Sequence, residues 1–244
     1  MTQKNDAAQE QERAAEEAAQ GGAAKPASDE GKAAAAPSEA DLAMLVEALK
    51  GPRRRARQDA SHELAIIAKE SPSALADVIP DLIDALYRPE AQTRWEALNA
   101  LAELAHEYGN DVAEAFDGAE ASLFDEGSAT VRLAAFHFLA SFGATSHMRS
   151  DQAWPLLDEA IQCYHGDSEY RDMLTYLLEF ANGSISAAAA SALVSRISFD
   201  AESGRGYIKD CSADIIKAAQ ANAPAEPKGT KRSGKRSDKK AKKV

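Results

Sequence analysis

Cysteine is scarce: this chain of 244 residues has two, Cys163 and Cys211, far apart and without paired spacing. That excludes a disulfide framework or a thiolate metal site and points to a reducing compartment. Aromatic residues make up only 6% of the chain, and residues 1–40 have none. No apolar run approaches the ~20 residues that span a bilayer. The opening Met1-Thr2-Gln3-Lys4-Asn5-Asp6 leads into polar sequence rather than an apolar signal core. These absences predict a soluble cytoplasmic protein with no membrane partner. The five histidines, His62, His106, His137, His147 and His165, form no His-x-x-x-His pair and no tight Cys/His spacing. No metal site, cofactor or small-molecule substrate is therefore expected. Cys163 and His165 are two apart and would face different ways on a helix, which argues against a nucleophile pair. Gly204-Arg205-Gly206 lies between helical stretches and reads as a turn, not a phosphate loop. No stretch alternates apolar and polar residues as a strand would.

The two ends are poor in apolar surface. Residues 1–40 are mostly Ala, Gln, Glu, Gly and Ser, and residues 221–244 mostly Ala, Pro, Gly, Ser, Lys and Arg. Neither can offset its chain entropy by burial. Both are expected to be disordered, with at most transient helix over Ala7–Ala19. One domain is expected over 41–220. Charge is uneven. Residues 1–40 hold four basic and eight acidic residues, and residues 222–244 hold nine basic and two acidic. The segment between them therefore carries −14 of a total of −11. An acidic body repels phosphate backbones and attracts basic partners.

What is present is a repeat. An arginine opens an apolar helical stretch five times: at Arg57, Arg94, Arg132, Arg171 and Arg205, with the fifth copy the weakest. Three residues on come Ala60, Ala97, Ala135, Leu174 and Ile208; seven on come Leu64, Leu101, Leu139, Leu178 and Ser212. Positions three and seven share a helix face. A second apolar helix precedes each phrase: Leu42–Leu49, Leu75–Leu86, Val112–Phe124, Trp154–Tyr164 and Ala187–Ile197. Breakers separate the helices of a pair (Gly51-Pro52, Pro89, Gly127-Ser128, Gly166-Asp167, Gly204). Others separate the pairs (Ser71-Pro72, Gly109-Asn110, Gly143, Asn182-Gly183). A single helix pair cannot cover its apolar stripe, whereas a stack can.

The stretch Val78-Ile-Pro-Asp-Leu-Ile-Asp-Ala-Leu86, a turn, then Arg94-Trp-Glu-Ala-Leu-Asn-Ala-Leu-Ala-Glu-Leu104 resembles a HEAT repeat, including the first-helix proline at Pro80. The fourth unit has Trp154-Pro155-Leu156-Leu157 in the corresponding stretch. The resemblance to HEAT/armadillo-type repeats implies an all-α, right-handed solenoid of about five helix pairs. The family also places an acid six residues before the arginine. Only the third unit has it, as Glu126 before Arg132, which implies a degenerate, irregularly curved stack.

The same resemblance implies that the second helices line the concave side. The residues five after each arginine, His62, Asn99, His137, Tyr176 and Asp210, lie off the buried stripe and can hydrogen-bond. With Trp95, Glu96 and Asp172 nearby, they form a candidate binding column for an extended or helical peptide, although any solvated helix face is also polar. Trp95 and Asn99 resemble, in a single copy, the Trp-x-x-x-Asn pair of importin-type armadillo proteins. There the Asn holds the peptide backbone and the Trp packs a side-chain stem. Trp95 with Glu96 and Glu103 would suit a Lys or Arg stem.

Three functions are carried forward. The first is a non-enzymatic scaffold that binds a basic or amphipathic segment of a protein partner. The second is a nucleic-acid- or ribosome-associated protein recruited by the basic tail, through Lys231, Arg232, Lys235, Arg236, Lys239, Lys240, Lys242 and Lys243. That tail could instead dock on an acidic surface, its own body included. The third is a glycosylase acting on alkylated bases, as some HEAT-like proteins are, with Trp95, Trp154 and Asp172 in the active groove. The −14 body weighs against it, and no catalytic residue is assigned.

Overall fold

The computed structural model describes residues 37–222. The expectations for residues 1–36 and for the basic tail, Lys231 to Lys243 included, fall outside the described residues. Ten α-helices and two 3-10 segments follow one another, with no strand among the described residues. They form five pairs. The first is α1 (Glu39–Lys50) and α2 (Arg54–Glu70). The second is a 3-10 segment (Pro72–Val78) continuing into α3 (Ile79–Ala85), then α4 (Ala91–Leu104). The third is a 3-10 segment (Val112–Ala115) continuing into α5 (Phe116–Leu123), then α6 (Ala129–Gly143). The fourth is α7 (His147–Cys163) and α8 (Tyr170–Asn182), and the fifth α9 (Ala187–Ser203) and α10 (Tyr207–Asn222).

Local chemistry sets many of the boundaries. Ser38 and Asp41 form a capping box at the start of α1: the Ser38 hydroxyl accepts from Asp41 N (3.2 Å) and the Asp41 carboxylate accepts from Ser38 N (3.3 Å). Ser128, Ser146 and Ser186 cap α6, α7 and α9 in the same hydroxyl-to-amide manner. Pro80 sits where the 3-10 segment becomes α3, a first-turn position whose missing N–H costs nothing.

Burial corrects the register of the repeat. Counting from Arg57, positions three, four, seven and eleven of α2 are buried: Ala60, Ser61, Leu64 and Ala68. The same offsets are buried from Arg94 (Ala97, Leu98, Leu101, Ala105) and from Arg132 (Ala135, Phe136, Leu139, Gly143). In the fourth pair they count from Tyr170 (Met173, Leu174, Leu177, Ala181), and in the fifth from Ile208 (Cys211, Ser212, Ile215, Ala219). The repeat thus starts at 57, 94, 132, 170 and 208, a step of 37 and then 38 three times. Arg171 and Arg205 are not its fourth and fifth starts. Leu178 and Ile208 are accordingly only partly buried, whereas their in-register counterparts Leu177 and Cys211 lie in the core.

Polar contacts lock each pair to the next, again in this register. Arg57 donates to the Glu90 carboxylate, with Nε–Oε2 at 3.3 Å, and to the Gly51 carbonyl at 2.8 Å. Arg94 donates to Asp125 at 2.7 Å and Arg132 to Glu169 at 2.5 Å. In the fourth pair the Tyr170 hydroxyl donates to Asp200 at 2.5 Å. Each acid lies at or near the turn inside the following pair, so the ladder is regular. Glu126, expected as its acidic member, is not one: its neighbour Asp125 takes the Arg94 guanidinium, and the Asp125 carbonyl accepts from Arg132 at 2.9 Å. A turn of variable length moves the acid relative to the next arginine while its place in space is kept. Ile208, in the fifth pair, offers no donor.

The second helices stack in order, α2 on α4 on α6 on α8 on α10, and touch more extensively than the first helices do. Asn99 and His137, both at position five, meet across one interface and His62 and Glu96, at positions five and two, across another, so these helices run parallel. A layer packed closely on one side and spread on the other curves toward the close side, which makes the second-helix layer the inner one.

Candidate functional site

With positions three, four, seven and eleven turned inward, positions two, five and nine of each second helix look out from the inner layer. Position two holds Asp59, Glu96, Ala134, Asp172 and Asp210; position five His62, Asn99, His137, Thr175 and Ala213; position nine Ile66, Glu103, Ser141, Glu179 and Lys217. The middle helix, α6, differs. Its outward residues Ala134 and Ser141 are small and only 4% and 8% exposed. The face is therefore recessed over α6, with Glu96 and Glu103 of α4 on one side and Asp172 and Glu179 of α8 on the other.

Aromatic and polar side chains bridge the recess. Asn99 Oδ1 lies 3.3 Å from His137 Nδ1, and the His137 ring stacks on Tyr176 at 4.2 Å between centroids and 17° between planes. Burial holds the His137 pKa down to about 4, so the ring is neutral near pH 7. Burial raises the Tyr176 hydroxyl, and the Asp172, Glu179 and Glu103 carboxylates raise it further. Glu179 is raised by burial first and then by Glu103, with His106 opposing. Glu103 and Glu179 belong to pairs two steps apart, yet the Glu103 charge reaches Glu179. Among the described residues neither carboxylate has an ion-pair partner within 4 Å. The arrangement suits a cationic group on a flexible stem: aromatic faces for the stem, two carboxylates for the head.

Asn99, His137 and Tyr176, singled out in the sequence, are brought together here. His62 and Glu96 meet separately, Nδ1 to Oε1 at 2.9 Å, so the Glu96 carboxylate already has a partner. Trp95 is half-buried against the core beside Glu96. Asp210 is exposed near the start of α10 and has no hydrogen bond to the others among the described residues. Tyr176 reaches the column from position six, because Thr175 holds position five and bonds Tyr207 across the next interface at 2.8 Å. Glu179, Ala134 and Ser141 were not singled out in the sequence. The signal that finds them is the corrected register, in which Glu179 and Glu103 are equivalent.

The other constellations dissolve into packing. Trp154 lies on α7 with its ring stacked on Phe180 at 6.2 Å, away from the exposed Asp172 on α8. A shallow cavity of about 260 Å³ is bordered by His165, Tyr170, Arg196, Phe199 and Asp200. Its Asp200 is the ladder acid, held by Tyr170 and by His165 at 3.0 Å. No group of three metal-ligating side chains gathers among the described residues. No described helix is long and apolar enough to cross a membrane.

No family model and no curated protein matches the chain. Solved structures do. A designed armadillo repeat protein in complex with the peptide (KR)4 superposes with a TM-score of 0.61 at 15% identity, over 74% of this chain and 82% of that one. Computationally designed armadillo repeat proteins for modular peptide recognition give 0.60 at 17% identity, over 73% of this chain and 82% of theirs. An archaeal HEAT-like repeats protein from Thermococcus onnurineus NA1 gives 0.51 at 16% identity, over 75% and 72%. At these identities the likeness establishes the fold.

Proposed function

Starting from a HEAT/armadillo-type helical repeat fold, we propose that this chain is a non-enzymatic scaffold that holds a basic segment of a protein partner along its second-helix face. One observation carries the reading: Glu103 and Glu179, with no ion-pair partner among the described residues, flank the recess floored by Ala134 and Ser141, beside the His137–Tyr176 stack. A Lys or Arg stem laid on Tyr176 places its cation between the two carboxylates, which attract it. Asn99, Trp95 and Asp172 extend the contact along the peptide. The (KR)4 peptide in the complex of one structural neighbour is of the same chemical kind. Two free thiols fit a reducing, cytoplasmic setting. The body's charge of −14 weighs against phosphate backbones on this face.

Fluorescence anisotropy with labelled (KR)4 tests the reading. We expect micromolar binding that weakens as salt rises, and at least a tenfold loss in the Glu103→Gln/Glu179→Gln double variant. Binding of equal strength in that variant, or none by millimolar protein, overturns it.

A further inference from the structure

The second-helix face has a potential occupant of matching charge within its own chain. Residues 223–244 hold nine basic residues against two acidic ones. They follow Asn222, and Asn222 is fixed in place: its Nδ2 donates to the Ala181 carbonyl at 3.2 Å, at the C-terminal end of α8. Ala181 is two residues from Glu179. The basic segment thus departs from the body at the level of Glu179 along α8, where Ala181 faces the core and Glu179 the open side.

Reach is sufficient. Lys231 is nine residues past Asn222, at most about 30 Å along an extended chain. The recess over α6 is two helices away from α10, roughly 20 Å at the usual interaxial spacing. The basic residues also come in doublets four apart, at Lys231-Arg232, Lys235-Arg236 and Lys239-Lys240. Were the segment to bind extended, alternate side chains would share a side and each doublet would offer one cation to the face.

We propose that residues 223–244 dock within the same chain on the second-helix face, with the Lys231–Arg236 stretch over Glu103 and Glu179, so that a basic partner must displace them. The inference rests on the peptide-binding reading and adds its regulation. Tethering gives the tail an effective concentration of about millimolar. A free peptide with the same chemistry must compete against that, and the tail sets a threshold on partner concentration or charge.

The test uses the full chain. A nitroxide is placed at Ser237→Cys in a Cys163→Ser background, since Cys163 is exposed and Cys211 buried. Amide broadening is then read across the second-helix face. We expect broadening concentrated near positions 103, 141 and 176–181. It should be unchanged on dilution, and abolished by high salt or by Glu103→Gln/Glu179→Gln. Absent or diffuse broadening, broadening that fades on dilution, or broadening that persists in the double variant overturns the proposal. A second arm measures (KR)4 binding to the full chain and to a variant with Lys231, Arg232, Lys235 and Arg236 changed to Ser. At least tenfold tighter binding in the variant supports displacement, and equal binding overturns it. Local broadening with no (KR)4 binding to either chain sinks the trans-partner reading and leaves the docked tail standing. Binding of (KR)4 equal in both chains, with no broadening, does the reverse.

Discussion

At His137 the surroundings decide the chemistry. Its ring is stacked on Tyr176 and bonded to Asn99, and burial lowers its pKa from 6.5 to about 4. An unfolded chain takes up this proton near pH 6.5, whereas the folded chain holds it off until about pH 4. Between those values the unfolded state binds more protons, so the contribution to stability is complete above pH 6.5 and lost as pH falls toward 4. The loss at pH 4 is on the order of 3 kcal/mol. Urea unfolding of His137→Gln should show a flatter decline than the wild type over that interval; parallel declines would mean that His137 titrates normally. Gly143 shows a different residue-scale constraint. A Cβ there would lie 2.8 Å from a Phe180 ring carbon and 3.0 Å from Ala153 Cβ. Gly143→Val should cost about 1–3 kcal/mol by overpacking, read as a lowered urea midpoint at unchanged m-value. An unchanged midpoint would show that α7 and α8 can move away from α6.

At the scale of elements, the ladder joins one pair to the next. Arg57 and Glu90 are 10% and 6% exposed at their side chains. The Arg57 guanidinium holds Glu90 below the ordinary carboxylate range. Arg57→Leu leaves a buried carboxylate unpaired and should cost roughly 3 kcal/mol at pH 7, and Arg57→Leu with Glu90→Leu less than that. A carboxylate whose pKa is depressed on folding contributes above its unfolded pKa and loses that contribution as pH falls through the lower folded value. The cost of Arg57→Leu should therefore shrink by pH 3; a cost that is the same at both pH values would show that the pair does not stabilise the fold. Much of this level was legible in the sequence: the breakers marked five pairs, and Arg57, Arg94 and Arg132 are true starts. The rest was hidden by chemical substitution. A Tyr170 hydroxyl serves Asp200 as a guanidinium serves Glu90, so a repeat counted on arginine runs to Arg171 and Arg205 instead of Tyr170 and Ile208. In that register Glu179 falls one place out of line with Glu103, which conceals their equivalence. The ladder acid was missed at Asp125 because turn length varies while the spatial position does not.

At the scale of the molecule, each pair is sheltered by its neighbours. The central α6 buries ten of its residues, whereas α1 buries only Leu49. In a stack held by nearest-neighbour interfaces, protection should grade outward from the centre. Native-state hydrogen exchange should find the α6 amides slowest and those of α1 fastest among the helices; uniform protection would reveal a single all-or-none unit. The ladder also gives the array an orientation. Every rung is cast forward, from one pair onto the turn of the next, and at Ile208 the donor gives way to a hydrocarbon. A pair spliced in ahead of the fifth would find a hydroxyl or guanidinium waiting for its acid. One grafted behind the fifth would find a hydrocarbon at the place where each earlier pair offers a donor, so this rung is missing there.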